Sequence, residues 1–337
     1  MPVNRRITLA ARPVGSPRKS DFTLDEVDVG SPEVGEVLVR MLWASVDPYQ
    51  RGRMSEARSY APSLQLGDVV TAQSIGEVVE SNDSRFSQSD LVLGQLGWQE
   101  YATARAGTLR RVPPELDPPS LALHAVGMTG FTAYFGLFDV GKPRPGDTVV
   151  VSCAAGAVGQ IVGQLAKLAG CRAVGIAGGP EKARDLTELY GYDAAIDYKN
   201  DDLAGALRGE RVDVYFDNVG GEISQAVHRR LNIGARIVVC GQVSHYNAER
   251  PEPTFHPALL IMFRARMQGF LVFDYAHRYE EAAQRLARWV ANGEIRWREH
   301  VTEGLENAPR AFIGMLNGEN RGKALVKVAE RPEPLET

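Results

Sequence analysis

The segment Thr148-Val-Val-Val-Ser-Cys-Ala-Ala-Gly-Ala-Val-Gly-Gln-Ile-Val-Gly-Gln-Leu-Ala-Lys-Leu-Ala-Gly170 constrains this chain more than any other. Thr148 to Val151 is a β-branched run of the kind buried on both faces of a parallel sheet. Small residues follow, and then Val158, Ile161, Val162, Leu165 and Leu168 recur at the spacing of one helical face. Gly170 stands where a left-handed residue closes such a helix. Strand, glycine turn and helix in that order aim backbone N–H groups and the positive end of a helix dipole at one spot, which suits a phosphate. Against the dinucleotide pattern G-x-G-x-x-G, Ala154 replaces the first glycine, while Gly156 and Gly159 remain around Ala157 and Val158. A ligand-free strand-to-helix turn would use the same residues, so the turn alone does not decide for a nucleotide.

Strand and helix go on alternating after it. Strands are predicted at 172–177, 194–197, 212–217, 236–241 and 267–273, with helices at 180–190, 222–231 and 279–291. This is the pattern of a doubly wound parallel sheet. Upstream, short strands at 7–12, 22–29, 35–46, 68–73, 75–80, 91–94 and 100–104 are punctuated by Gly and Pro, as in an all-β barrel or sandwich. A buried helix is predicted at 127–137 and a strand at 324–328, the latter returning to the first domain. A chain of 337 residues is long for one core, and the change of period divides it. The expected parts are a first domain over 1–122, a dinucleotide domain over 123–296 and a returning tail over 297–337.

Several function classes drop out. A net charge of -4 gives no electrostatic case for nucleic acid or an anionic membrane. No apolar run approaches the ~20 residues that span a bilayer, and the start lacks an apolar signal core. A cytoplasmic protein is expected. Residues 1–120 contain neither Cys nor His, so a zinc site there would lack its usual nitrogen and sulfur ligands.

The ribose side sharpens the nucleotide reading. An NAD site wants Asp or Glu at the end of the second strand, yet here the strand runs into Ala177-Gly-Gly-Pro180. Lys182 falls in the first turn of the next helix, where a cation is unfavourable to the dipole unless a 2′-phosphate accepts it. The alternative is a solvated lysine offset by Glu181. The carboxylate-free strand end favours NADPH.

These residues sit within a wider pattern: Val46-Asp-Pro-Tyr-Gln-Arg-Gly-Arg-Met54, the 127–137 segment, the glycine turn, Glu181-Lys182, Asp197-Tyr-Lys, Tyr215-Phe-Asp-Asn-Val-Gly-Gly221, Cys240-Gly-Gln-Val-Ser-His-Tyr-Asn247, Phe270-Leu-Val and Glu319-Asn-Arg-Gly-Lys323. In that order and spacing the chain resembles the zinc-free branch of the medium-chain dehydrogenase/reductase superfamily. It is most similar to the group of prostaglandin reductases, curcumin reductases and alkenal double-bond reductases. The resemblance implies an α/β protein with a GroES-like catalytic domain and a Rossmann domain, and a metal-free, NADPH-dependent reduction of α,β-unsaturated ketones or aldehydes.

It also implies roles for residues. Gly156, Ala157, Val158 and Gly159 would cradle the pyrophosphate, and Lys182 and Tyr198 would hold the 2′-phosphate. Asn218 would meet the cofactor, unless it merely caps the following helix. Cys240, Gly241, Gln242, Val243, Ser244, His245 and Tyr246 would line the nicotinamide side, with Phe270, Leu271 and Val272 beside the ring and Asn320 reaching over from the tail. Tyr246 is the candidate donor to the enolate oxygen, since a phenol is neutral at pH 7, although a packing role suits it too. Tyr49 would face it across a cleft, whereas a loop residue like His245 more often faces solvent. Gln50, Gly179 and Gln160 depart from the group's usual residues, and Gln50 is expected to make the substrate pocket more polar. A quinone reductase and a catalytically idle NADPH sensor are the alternatives. A homodimer is expected through the 267–273 edge strand.

Overall fold

Residues 3–248 and 256–331 are described by a computed structural model, in which they form two units. One holds the described residues up to Leu123 together with Glu299–Asn320 and those from Ala324 onward; the other holds His124–Arg298 and Arg321–Lys323.

The first unit begins with an antiparallel pair, β1 (Val3–Leu9) and β2 (Phe22–Asp28). Then come β3 (Glu36–Ser45), the single-turn helix α1 (Tyr49–Arg53), β4 (Gln73–Ser81), β5 (Leu91–Gln95), β6 (Tyr101–Arg105) and β7 (Arg110–Arg111). Val37, Val39 and Met41 are fully buried with Val78, Val92 and Leu96 around them, as the alternation along β3 leads one to expect. The predicted strand at 68–73 does not form. Val69 makes one isolated bridge to Thr8, and pairing with β3 starts only at Ser74. Backbone bonds reach the stretch from both sides, Val70 N to Ile7 O at 2.9 Å and Trp98 N to Val70 O at 3.0 Å, but they do not run on into a ladder.

The second unit opens with α2 (Met128–Phe135), which runs on as a wider helical turn through Gly136–Gly141. There follow β8 (Thr148–Ser152), α3 (Gly159–Leu168), β9 (Arg172–Ala177), α4 (Pro180–Glu188), β10 (Ala194–Asp197), α5 (Leu203–Ala206), β11 (Val212–Asp217), α6 (Gly221–His228), β12 (Leu231–Val239), α7 (Ala258–Phe263), β13 (Arg266–Gly269) and α8 (Tyr279–Ala291). The six strands are parallel in the order β10-β9-β8-β11-β12-β13. Neighbouring crossovers leave in opposite directions from β8 and β11, so the ends of these two strands form the switch point where ligands of such sheets lie. Two predictions need correction. The last strand stops at Gly269, because Val272–Arg278 turns into a short 3-10 helix. The helix expected to reach Leu231 ends at His228, since Leu231 pairs with Val212 and already belongs to β12.

Packing of α3 on the sheet depends on a missing side chain. A Cβ at Gly163 would lie 1.9 Å from the Tyr192 ring, whose hydroxyl donates to the Gly159 carbonyl at 2.7 Å. Gly163→Ala should therefore lower the midpoint of urea unfolding, at a cost of about 1–3 kcal/mol from overpacking. An unchanged midpoint would refute that close fit.

The chain returns to the first unit with β14 (Glu299–Glu303), α9 (Ala308–Leu316) and β15 (Lys323–Lys327). The larger sheet there runs β14-β15-β3-β4-β5-β7, with β6 also on β3. Phe312 of α9 meets Trp98 edge-on at 5.8 Å between ring centres and packs with Phe22. Burial of these rings gives the tail its place in the core.

Candidate active site

The glycine turn leaves the end of β8 at the switch point. Cys153 adopts a left-handed backbone (φ +50°), and its carbonyl accepts the Gly156 N–H at 2.9 Å. A Cβ at Gly159 would lie 2.3 Å from that carbonyl oxygen and 2.6 Å from the Ala154 Cα, so only glycine lets α3 start this close to the strand. Ala154 is tolerated in place of the first glycine for a local reason. The adjacent strand carries Gly175, where a Cβ would stand 2.9 Å from that of Ala154. No side chain caps the start of α3; Gln160 N and Ile161 N already donate to Gly156 O and Val158 O at 3.0 and 3.1 Å, so it is the N–H groups of Ala157, Val158 and Gly159 that suit an outside anion.

The departure at Gln160 has nothing to do with the phosphate side. Its side chain accepts from Arg298 N at 2.8 Å and donates to Arg298 O at 3.3 Å. Gln164 pairs with the Arg296 backbone in the same way, at 2.8 and 2.7 Å. The tail reaches this turn too, since Gly322 bridges Gly156, and Arg321 donates to Asp185 of α4 at 2.7 Å.

Beyond β9 lies the corner where a ribose would sit in such a fold. The backbone at Gly179 has φ +99°, a conformation that favours glycine over a residue with a side chain. Its N–H donates to the Asp197 carboxylate at 2.7 Å, which also accepts from Lys199 N at 3.1 Å and Asn200 Nδ2 at 2.6 Å. Tyr198 is 42% exposed and its ring lies against Gly178, where a Cβ would stand 2.8 Å from it. Lys182 is half-buried in the first turn of α4, and burial first, then the charge of Lys199, lowers its pKa. Glu181, its neighbour in the sequence, pairs with Arg321 at 3.2 Å.

At the end of β11 a buried carboxylate organises the switch point. Asp217 accepts from Ser152 Oγ (3.2 Å), Tyr215 Oη (3.0 Å), Ser224 Oγ (2.6 Å), Val219 N (3.0 Å) and Gly220 N (2.9 Å). Asn218 donates through Nδ2 to Ser152 O at 2.8 Å. The 240–246 segment hangs from the same turn: Cys240 N and Gly241 N donate to Asp217 O, Val243 N to Asn218 O and Ser244 N to Val219 O. Gln242 and Ser244 are exposed, and Tyr246 comes near Gly241, where a Cβ would lie 3.4 Å from its hydroxyl. His245 is half-buried, with Nδ1 3.3 Å from Gln242 Oε1, rather than facing solvent outright. Phe270 packs against the end of α2, since a Cβ at Gly136 would meet its ring at 2.7 Å; Leu271 is exposed and Val272 half-buried.

Tyr49 and Asn320 belong to the first unit. The Tyr49 hydroxyl is buried and makes no hydrogen bond among the described residues, with Gln95 approaching it outside hydrogen-bond geometry. Burial, and then the Asp47 carboxylate, push this phenol well above its usual pKa. Gln50 does not make a pocket polar, as expected from sequence. It is fully buried, accepting from Asp47 N at 2.8 Å and donating to Thr71 O at 2.7 Å, so its amide holds the turn together. Asp217, Asp197, Ser152 and Lys199 were not singled out from sequence. The available signal was an acid closing each of two buried strands.

Among the described residues no three His, Cys, Asp or Glu side chains are grouped to hold a metal ion, and no helix is long and apolar enough to cross a membrane. Residues 5–112 match the family "N-terminal domain of oxidoreductase", and residues 157–288 match "Zinc-binding dehydrogenase". The NADPH-dependent curcumin reductase of Escherichia coli is 45% identical, over 97% of both chains. The NADP(+)-dependent 2-alkenal reductase of Nicotiana tabacum is 40% identical, over 97% of this chain and 98% of that one. The crystal structure of CurA from Vibrio vulnificus with NADPH superposes with a TM-score of 0.93 at 45% identity, over 97% of this chain and all of the other (100%). With the parallel sheet, the glycine turn and these matches together, the chain belongs to the zinc-free group of the medium-chain dehydrogenase/reductase family.

Proposed function

We propose that this protein reduces the C=C bond of α,β-unsaturated ketones and aldehydes at the expense of NADPH. The observation that carries the reading is the corner of the second unit where the uncapped start of α3, Lys182 and a strand end without a carboxylate come together. These residues fit the cofactor: the Gly156–Gly159 turn offers N–H groups to a pyrophosphate, and Lys182 and Tyr198 offer a cation and a hydroxyl to a 2′-phosphate. When bound, NADPH supplies a hydride to the β-carbon of the conjugated substrate. The chain's own residues bind, orient and stabilise. Asn218, the 240–246 segment, Phe270, Leu271, Val272 and Asn320 are assigned to holding the cofactor. Tyr246 and Tyr49 are assigned to the substrate carbonyl, where a neutral phenol donates to the oxygen that gains charge. The unpartnered, buried hydroxyl of Tyr49 suits such a task.

The exposed edge of β13, with Leu271 and Phe273 exposed beyond it, supports a homodimer in which a second copy covers that edge. Three unpaired cysteines suit the reducing cytoplasm.

Steady-state assays with an enone, an enal and a quinone test the reading. Saturated carbonyl products are expected, and Tyr246→Phe should lower kcat by about 100-fold, far more than it changes the KM for NADPH. Turnover of the quinone alone would overturn the proposal in favour of a quinone reductase. Cofactor binding with no turnover of any of the three would point instead to an NADPH sensor.

A further inference from the structure

The chain re-enters the second unit at Arg321–Lys323, and the middle residue of that segment borders the glycine turn: Gly322 bridges Gly156 in parallel. The Gly322 backbone is left-handed (φ +85°), and a Cβ there would stand 2.1 Å from the Arg298 carbonyl oxygen, which also accepts Lys323 N at 2.9 Å. Glu319-Asn-Arg-Gly322 carries no apolar side chain, so polar contacts rather than hydrophobic burial must place it. Arg321 supplies them from α4. Its Nε and Nη2 donate to the two oxygens of Asp185, the second at 2.7 Å, and its Nη1 meets Glu181, one turn earlier, at 3.2 Å. Asp185 is only 5% exposed, and its Oδ1 also lies 3.4 Å from Arg298 Nη2. One buried carboxylate thus ties α4 to both segments beside the turn, as Gln160 ties α3 to the backbone of Arg298 at 2.8 Å. All of these residues belong to the second unit.

We propose that Asp185 is a positioning residue for the dinucleotide: through Arg321 it holds Gly322 on Gly156, and so keeps the Gly156–Gly159 turn in the shape that takes a pyrophosphate. The inference rests on the reading that this turn cradles the pyrophosphate. A two-bond contact between arginine and carboxylate fixes direction as well as distance. Without it the turn loosens in the cofactor-free protein, and binding has to order it again, which weakens affinity. The effect falls on phosphates that NADPH and NADH share, so it differs in kind from that of Lys182.

The test combines amide hydrogen exchange of the full-length, cofactor-free protein with calorimetric titration by NADPH. Arg321→Gln should speed exchange over residues 153–160 while the rest of the second unit exchanges as in the wild type. It should also weaken NADPH about fivefold, the size of a well-formed but partly exposed ion pair. Asp185→Asn should do the same, and the double variant should bind no more weakly than the weaker single, because the two side chains act as one contact. Arg321→Lys keeps the charge but loses the two-bond fork, and should fall in between. Should Asp185→Asn fail to fold, the two Arg321 variants carry the test. A pair that serves the fold alone would lower the urea midpoint of Arg321→Gln and leave both the turn's exchange and the NADPH affinity as they are; that result refutes the positioning role, and so does a multiplied loss in the double variant. The cradle is read separately, because NADPH should slow exchange over residues 153–160 in the wild type. If NADPH does not bind, or binds without slowing it, the pyrophosphate reading fails and the inference with it. If it slows exchange equally in the wild type and Arg321→Gln, at equal affinity, only the inference fails.

Discussion

Lys182→Ala is expected to raise the KM for NADPH by at least about tenfold, leaving kcat and the KM for NADH nearly unchanged. A half-buried lysine facing a dianion is worth more than a surface pair, because water screens it less. The variant removes a contact that only the 2′-phosphate makes, so it should act on binding and not on the chemical step. The corner offers few substitutes. Gly179 carries no hydroxyl, and Asp197 spends its oxygens on backbone and Asn200 donors. The pH dependence follows from the same site. Burial and Lys199 lower the Lys182 pKa, so in the free protein Lys182 loses its proton at a lower pH than an ordinary lysine. The charged form binds the phosphate; affinity for NADPH is therefore full on the acid side of that pKa and declines as pH rises through it, with NADH unaffected. Steady-state kinetics with both cofactors from neutral to alkaline pH measure this, and equal changes for NADPH and NADH would remove Lys182 from the 2′-phosphate.

Asp217→Asn should have the other large effect, on stability and cofactor affinity together. Five donors converge on this buried carboxylate, from the ends of two strands, the 218–220 turn and α6. An amide of the same shape keeps four of these donors on its oxygen and turns its NH₂ to the Ser224 hydroxyl, which can accept, so what is lost is the charge of the acceptor. Bonds to a charged acceptor are roughly twice as strong as neutral ones, so a loss of about 1–3 kcal/mol is expected even after relaxation. The Ser152 Oγ bond to Asn218 N at 2.9 Å and the 240–246 segment hang on the same residue, so the KM for NADPH should rise as well. Urea unfolding and NADPH titration of the variant measure both. An unfolding midpoint equal to the wild type would mean that the carboxylate charge is dispensable there. Asp217→Glu separates the two effects: it keeps the charge and shifts it by a methylene, so affinity should suffer more than stability.

Much of the second unit was legible from local pattern. The β-branched run at 148–151, the small turn and the apolar stripe from Val158 to Leu168 each specify their own element, and the helix at 279–291 forms over the predicted residues. What local pattern misread were the places where a neighbour decides. Val69 and Val70 have the composition of a strand, yet the bridge to Thr8 and the bonds of Val70 to Ile7 and Trp98 stay separate contacts. Phe270 leaves the line of β13 to fill the space beside Gly136. Gln50 and Gln160 looked like changes to a ligand surface, and each turned its amide to a backbone far along the chain, at Thr71 and Arg298.

By itself, the sequence determined where strands and helices alternate, that the β9 end lacks a ribose-binding acid, and that residues 1–120 hold no cysteine or histidine for a metal. Those are properties of neighbours along the chain, where periodicity and residue type suffice. Only the tertiary structure decided which buried polar groups meet. It gave Glu181 to Arg321 and Gln160 to Arg298, and it gathered Ser152, Tyr215 and Ser224 around Asp217. A hydrogen bond or charge pair in a low-dielectric interior depends on distances of a few ångströms between residues tens of positions apart, and only the order in which the strands pack sets those distances.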